Sequence, residues 1–444
     1  MAELLTPQQQ MAVCNRGGKL LVSAAAGSGK TKVLVDRLLL YLTEGKGQIN
    51  IDDFLIITYT KAAAAELRGK IAAKLNERLA EEPENKHLQR QVQRLYLTKI
   101  STVHAFCGDI LREYAYRLDI PGDFRVADER ECQILQLQVL DRILENAYES
   151  ADPDFLTFID THELGRDDRK IPQILLQVYN SAQCHIHPEK WMEECMASSQ
   201  VAGKTDVSET TWGQYLINDL HNYLDMQIDA LSNCAVLAEQ NGSMVKPSEL
   251  LRDTVNQLQG LRQCTLWDEI VDFGAIDYGR MSFPKNCTDL SLADKIKAVR
   301  NACKAGLEKK LTPFADTSRQ VLCDLQKSSS AISGLVTLVK HFTAEYGKAK
   351  KSRRILDFSD LEHKMLDLLI GKGRQGHTAI ADEIGSRFVE IMVDEYQDSN
   401  AVQDAIFSAL TEKTQNCFMV GDVKQSIYQF RLADPGIFLE KYNA

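Results

Sequence analysis

Ala24-Ala25-Ala26-Gly27-Ser28-Gly29-Lys30-Thr31 is the stretch of this chain that decides its fold. A short apolar run at 19–23 precedes it and predicts a buried parallel strand. Residues 31–42 follow it, and their apolar side chains at helical spacing predict a helix. A strand, a glycine-containing loop and a helix in this order are the context of a phosphate-binding loop, which favours that interpretation over a chance Gly-Ser-Gly turn.

Each residue type in the loop has a chemical reason. Gly27 and Gly29 let backbone N–H groups turn inward around phosphates, and the N-terminus of the next helix adds partial positive charge. Lys30 is predicted to reach the β- and γ-phosphates, and Thr31 to bind Mg²⁺. The pattern usually begins with glycine, and Ala24 departs from it. The predicted nucleotide contacts of the loop are Ala24, Ala25, Ala26, Gly27, Ser28, Gly29, Lys30 and Thr31.

A second stretch far downstream complements the loop. The apolar run at 388–393 predicts another buried strand, and Asp394-Glu395 follows it directly. Open α/β sheets bind ligands at the carboxyl ends of their strands, so this acidic pair is favoured as part of a site over ordinary solvated surface. Asp394 is predicted to hold Mg²⁺, and Glu395 to orient and deprotonate an attacking water. The two stretches together predict a chain that binds and hydrolyses ATP.

Composition places the chain among globular proteins. It has 444 residues, a net charge of −10, and 11 cysteines without a Cys-x-x-Cys pair. We therefore expect reduced thiols in a cytoplasmic protein, with no secretory signal and no apolar run of membrane-spanning length. The cluster of Cys184, His185, His187, Glu194 and Cys195 does not match a standard zinc spacing, so a helical surface is favoured there.

The pattern of the chain changes twice. Up to residue 125, apolar strands at 54–58 and 99–103 alternate with helices, and strands return after 350 at 388–393 and 417–420. Between them helical periodicity dominates. We predict an α/β domain with a mostly parallel sheet formed by 1–125 and 351–444, interrupted by a large, mainly helical insertion at 126–350. The basic run at 347–354 is left open between a solvated linker and a binding patch.

Further segments have no obvious packing role, and each lies next to a predicted strand or at the return to the α/β domain. They are 5–13, 58–68, 101–107, 356–361 and 421–431. In this order and spacing they resemble the superfamily 1 helicases of the UvrD/Rep type. Asp357-Phe358-Ser359-Asp360-Leu361-Glu362-His363 and Gly421-Asp422-Val423-Lys424-Gln425-Ser426-Ile427-Tyr428 are most similar to the AddA branch, the helicase–nuclease subunits of AddAB double-strand-break repair complexes. The resemblance covers 1–125 and 350–444, and in 126–350 it rests on position alone.

The resemblance implies a RecA-like ATPase domain and gives roles to further residues around the nucleotide. Gln9 is expected to read the adenine through its amide. Arg37, on the helix after the loop, is expected near the base. Gln425 is expected to contact the γ-phosphate and to report its loss to the DNA side, as a catalytic residue beside Lys30 and Glu395.

The resemblance also implies a face that binds single-stranded DNA. The expected contacts are Tyr59, Thr60, His104, Tyr428 and Phe430. Aromatic stacking suits a translocating motor because every base has a π-face. Ordinary core packing is the alternative for each of these aromatics. Asp357 and Asp360 match the family pattern, with no clearer expected role than fixing their loop.

The family implies partners and also domains beyond this chain. We expect ATP and Mg²⁺ as cofactors, single- and double-stranded DNA as substrate, no membrane, and a heterodimer with an AddB-like partner. A second RecA-like domain and a nuclease domain are expected to be absent, so the chain alone should turn over ATP slowly and unwind nothing. The expected function is the N-terminal motor portion of a 3′→5′ helicase–nuclease in recombinational repair. The alternatives are a nucleotide-binding, DNA-binding or partner-docking module without helicase activity, and a phosphate-loop ATPase with no DNA role.

Overall fold

The computed structural model describes residues 5–25, 27–44, 49–161, 170–283, 289–374, 376–425 and 434–443. The chain divides into two compact units. The first comprises Met1–Asn146, Arg169–Trp191 and Leu338–Ala444, and the second comprises Ala147–Asp168 and Met192–Thr337. Residues 126–146, 169–191 and 338–350 thus belong to the first unit, although the sequence analysis places them in the insertion. The boundaries at 125 and 350 stay a prediction.

The strands of the described residues are short and mostly apolar. They are β1 Lys19–Ser23, β2 Phe54–Thr58, β3 Lys99–Thr102, β4 Arg125–Val126, β5 Ile355–Leu356, β6 Glu390–Val393 and β7 Cys417–Gly421. β4 and β5 form a separate parallel pair. The other strands form one sheet in the order β1-β7-β6-β2-β3, and each neighbouring pair in it is parallel.

Most of the remaining described residues are in helices. They are α1 Pro7–Cys14, α2 Lys30–Glu44, α3 Lys61–Glu81, α4 Lys86–Arg94, α5 Val103–Glu113, α6 Ala115–Leu118, α7 Glu129–Ser150, α8 Pro153–Thr161, α9 Lys170–Gln183, α10 Pro188–Ser199, α11 Thr211–Gln240, α12 Val245–Gln263, α13 Trp267–Phe273, α14 Leu290–Leu311, α15 Ser318–Ser352, α16 Phe358–Ile370, α17 Ala379–Gly385, α18 Ala401–Leu410 and α19 Pro435–Asn443. Among these helices, none is both long and apolar enough to cross a membrane.

The central sheet is covered on both faces, and its strands show why. Every residue of β2 and of β6 is buried. Successive side chains of a strand point to opposite faces, so Leu55 and Ile57 enter one apolar core while Phe54 and Ile56 enter the other. Near-continuous apolar strands are typical of parallel sheets with helices on both sides. The predicted α/β fold with a mostly parallel sheet is confirmed.

The second unit is helical and has its own core. α11 packs along α12 and α14. Trp267 is 1% exposed, its indole N–H donates to the Asp316 carbonyl at 2.9 Å, and its ring lies 4.3 Å from that of Phe314. Gly213 is needed on α11, because a Cβ there would lie 2.1 Å from the Val207 carbonyl oxygen. The predicted helical insertion therefore has a packed apolar centre.

Candidate nucleotide-binding site

The loop after β1 adopts a conformation that only glycine accepts easily at two positions. Gly27 has a φ of 73° and Gly29 a φ of 85°, both in the left-handed region. A glycine is not required at position 24. The Ala24 N–H donates to the Gly421 carbonyl at 3.0 Å and so continues the hydrogen bonding between β1 and β7. The departure from the usual pattern at Ala24 is therefore compatible with the loop. Ala26 lies outside the described residues.

Lys30 and Glu395 meet over this loop. The Lys30 Nζ lies 2.9 Å from Glu395 Oε2, although 365 positions separate the two residues. The lysine side chain is 9% exposed and the glutamate side chain 42%. Glu395 also has a φ of 53°, which is uncommon outside glycine and typical of functional turns. A phosphate that reaches Lys30 must compete with this carboxylate.

A buried glutamine holds the Glu395 carboxylate. Gln397 is 1% exposed, and its Nε2 donates to Glu395 Oε2 at 2.9 Å. Its Oε1 accepts the Asp422 N–H at 2.9 Å. Gly421 leaves room for this amide, since a Cβ there would lie 2.4 Å from Gln397 Oε1. Gln397 thus connects the end of β6 to the end of β7, a role that sequence reasoning did not assign.

Asp394 is a buried carboxylate beside the pair. Burial and the negative charge of Glu395 raise its pKa from 3.8 to about 6. The hydrogen bond from the Glu395 N–H and the positive charges of Lys30 and Lys70 lower it, but by less. Its Oδ1 accepts that N–H at 3.0 Å. A carboxylate that is costly to ionise gains from a cation beside it, so Asp394 is suited to hold a divalent metal.

An open cleft of about 1370 Å³ lies in front of the loop. Gly27, Gly29, Lys30, Thr31 and Glu395 line one part of it. Residues of α1, α2 and α3 line the remainder.

Lys70 on α3 is a cleft-lining cation that the sequence did not single out. Its ammonium lies 2.6 Å from the exposed Glu66 carboxylate. Exposed ion pairs of this kind are weak, so the ammonium can turn toward an anion in the cleft.

Gln9 lies against the loop through a helix cap. Its Oε1 accepts the Thr6 N–H at 2.9 Å, and its Nε2 donates to the Ser28 carbonyl at 2.7 Å. Both ends of the amide are therefore bonded within the protein in this structure. The Gln9 amide must exchange one of these bonds to read an adenine.

Arg37 is held by buried contacts within the protein. Its side chain is 2% exposed, and its guanidinium donates to both carboxylate oxygens of Glu390, with the Nε bond at 2.8 Å. It also donates to the Ala12 and Asn15 carbonyls. These bonds connect α2 to β6 and to the C-terminal end of α1. The expected position near the base stays a prediction, and in this structure the planar guanidinium is engaged in a buried fork.

Three of the residues expected at the DNA face, Tyr59, Thr60 and His104, follow the carboxyl ends of β2 and β3. The Tyr59 hydroxyl is hydrogen-bonded to Ser399, and burial strongly raises its pKa. Thr60 caps α3 by accepting the Ala63 N–H at 3.0 Å. His104 is 31% exposed near the start of α5, and its ring lies 4.4 Å from that of Phe358.

Comparison with known proteins decides the family. The UvrD/REP helicase N-terminal domain profile matches residues 5–444. The chain belongs to this family. It is similar to ATP-dependent helicase/nuclease subunits of the AddA type: it is 35% identical to that of Lachnoclostridium phytofermentans, 34% to that of Clostridium novyi and 36% to that of Bacillus licheniformis. These matches cover 98–99% of this chain but 33–36% of each relative, so the chain spans about a third of their length.

Three positions expected from the UvrD/REP resemblance cannot be placed. Tyr428 and Phe430 lie outside the described residues. Gln425 ends the short turn of helix after β7, Val423–Gln425, and its side chain is likewise outside the described part of the chain. Their roles stay predictions.

The basic run at 347–354 is divided between the interior and the surface of this UvrD/REP domain. Lys350 is 4% exposed, and its ammonium lies 2.8 Å from Asp357 and 2.7 Å from Asp360. The two aspartates also form the capping box of α16. This triad gives Asp357 and Asp360 the physical role that the sequence left undefined, which is to fix the junction of α15 and α16.

The Arg37–Glu390 pair yields a stability prediction. Arg37→Ala leaves a buried carboxylate without its cation, so the free energy of unfolding should fall by about 3–5 kcal/mol in urea titrations. A double Arg37→Met/Glu390→Met variant removes both charges and should lose much less. Arg78→Ala, which breaks an exposed pair with Glu81, is the control and should change little. Equal losses in Arg37→Ala and the control would contradict the structural role.

Asp394 yields a pH prediction for the chain without nucleotide or divalent cations. The pKa of the Asp394 carboxyl is higher in the folded protein than in the unfolded chain. The free energy of unfolding therefore falls as the pH rises from about 4 to about 6, and it stays at the lower value above that. Asp394→Asn should therefore be more stable than the wild type at pH 8, by up to about 3 kcal/mol, with the gap closing near pH 4. Thermal unfolding across this range checks it, with Asp109→Asn as an exposed control. A destabilised Asp394→Asn at pH 8 would show that burial is not the dominant cause.

Proposed function

We propose that this chain is the N-terminal ATP-binding motor portion of an AddA-like 3′→5′ DNA helicase–nuclease that acts in double-strand-break repair by homologous recombination. The observation that carries the proposal is the meeting of Lys30 and Glu395 at 2.9 Å over the glycine loop, beside Asp394. Supporting it are the family and the names of the relatives, which span about three times the length of this chain. An AddB-like protein is the proposed partner.

The residues of the site divide the work of ATP hydrolysis. Lys30 and the N–H groups of the loop bind the β- and γ-phosphates, and Thr31 and Asp394 supply oxygen ligands for Mg²⁺. Mg²⁺ would neutralise developing phosphate charge when it is bound. Glu395, released from Lys30 when that lysine binds phosphate, is then available to orient and deprotonate water. Gln397 keeps its carboxylate in place through the 2.9 Å hydrogen bond.

Single-stranded DNA is the proposed substrate of the adjacent edge. Tyr59 and Thr60 follow β2, and His104 follows β3. β2 pairs with both β3 and β6, and Asp394 comes directly after β6. Parallel strands bring these ends to one edge of the sheet. A stacking and hydrogen-bonding surface next to the ATP site is what a motor on a single strand needs.

The test is ATP binding and turnover by the purified chain with and without oligo-dT. Lys30→Ala should weaken binding of a fluorescent ATP analogue at least about tenfold, because it removes a charged phosphate contact. Glu395→Gln should still bind the analogue but lose turnover. Lys99→Ala, whose exposed partner is Asp109, is the matched control.

The outcomes separate the candidate functions. Turnover stimulated by oligo-dT and lost in both site variants supports the motor assignment. Binding of nucleotide and DNA without turnover favours a binding module. Turnover that ignores DNA would contradict the proposed coupling to a nucleic acid.

A further inference from the structure

A buried carboxylate outside the expected site lies behind His104. Glu362 is on α16, and it is 5% exposed. His104 Nε2 lies 3.0 Å from its Oε1, which also accepts from Gln403 Nε2 at 2.6 Å. Asn400 Nδ2 donates to its other oxygen at 3.4 Å. A buried charge is costly unless it is hydrogen-bonded in this way, so the cluster is built to hold an ionised carboxylate.

The ionisation of Glu362 agrees with the geometry. Burial alone would raise its pKa, but the hydrogen bonds from His104, Gln403 and Asn400 lower it below its usual value. The carboxylate therefore accepts, and the His104 Nε2 carries the proton that it receives. This assigns the tautomer of the ring from its partner.

The His104 ring is thereby fixed in two directions. Glu362 holds its Nε2, and Phe358 lies against one face at a centroid distance of 4.4 Å and an angle of 31°. The ring remains 31% exposed. Its Nδ1 is the nitrogen not engaged by Glu362, so the carboxylate decides which edge of the imidazole is presented outward.

We propose that Glu362 is a positioning residue for nucleic-acid binding, which acts by fixing the orientation and tautomer of His104. The inference rests on the proposed function, in which His104 contacts single-stranded DNA. Glu362 also binds the first turn of α18 through Asn400 and Gln403, and α18 closely follows the Asp394–Asp398 segment of the ATP site. The same carboxylate thus anchors the DNA-facing ring to the nucleotide side of the sheet.

Glu362→Gln tests this role because it keeps the shape of the side chain and removes its charge. Binding of fluorescently labelled oligo-dT, measured by anisotropy, should weaken roughly three- to tenfold, a part of the loss expected for His104→Ala. In a His104→Ala background the same change should add no further loss. Glu383→Gln, on an exposed carboxylate paired with Arg387, is the matched control and should bind as the wild type does.

A spectroscopic readout distinguishes positioning from a general effect on the fold. The imidazole ¹⁵N shifts of His104 should show a protonated Nε2 in the wild type and a mixture of tautomers in Glu362→Gln. Thermal unfolding checks that the variant is folded. If it is not, Glu362→Asp, which keeps the charge but shortens the reach, should show the same two changes to a smaller degree.

Failure of the inference and failure of the proposed function look different. Wild-type affinity in Glu362→Gln, or an equal loss in the His104→Ala background, overturns the positioning role and leaves the proposed function standing. A wild-type chain that does not bind oligo-dT overturns both.

Discussion

The parallel pairing of β1 with β7 and of β7 with β6 is the constraint on which the site depends. Ser23 is in register with Gly421, and Val393 with Met419, so strands distant in sequence end at one edge of the sheet. Parallel strands require crossover connections, and here the connection between the first and last strands contains the whole helical unit. The site therefore forms only when both ends of the chain enter the same sheet, and residues 24–31 alone cannot build it.

Two ion pairs at this sheet differ in burial, and the difference determines whether a pair is structural or can exchange its partner for a ligand. Arg37 and Glu390 are almost wholly buried, with every oxygen of the carboxylate bonded, so breaking one partner leaves an uncompensated charge. Lys30 and Glu395 lie at the mouth of the cleft, and the glutamate is 42% exposed. Water can compensate that carboxylate when the pair separates, whereas Lys30, which is 9% exposed, needs another anion in its place. The first pair fixes α1 and α2 against the sheet, and the second can exchange its partner for a phosphate.

The strands of the sheet and the positions of the loop and the acidic pair could be predicted from the sequence, because their signals are local. Apolar strands buried on both faces, glycines at left-handed positions and acidic residues directly after a strand are local signals, and they placed β1, β2 and Asp394-Glu395 correctly along the chain. The buried partner of Arg37 could not be predicted, because a helical pattern shows only that a residue faces inward, and not which carboxylate, 353 positions away, it meets. Glu362 and Gln397 were missed for the same reason, since their partners are set by the packing of α16, β6 and β7. The limits of the two compact units fall inside helices such as α7 and α15, where no turn signal in the sequence marks them.

The segment from Tyr396 to Gln403 is where the two halves of the proposed mechanism meet. At its beginning Gln397 holds the Glu395 carboxylate, and further on Ser399 bonds the Tyr59 hydroxyl while Asn400 and Gln403 bond Glu362, which holds His104. Gln397 and Ser399 are both 1% exposed, so neither side chain can shift without disturbing buried hydrogen bonds. A change at Glu395 that displaces Gln397 would therefore move groups bonded to the side chains proposed to face DNA. In the proposed mechanism ATP and DNA are coupled locally, because the helical turn Tyr396–Asp398 and the start of α18 directly after it bear both sets of contacts.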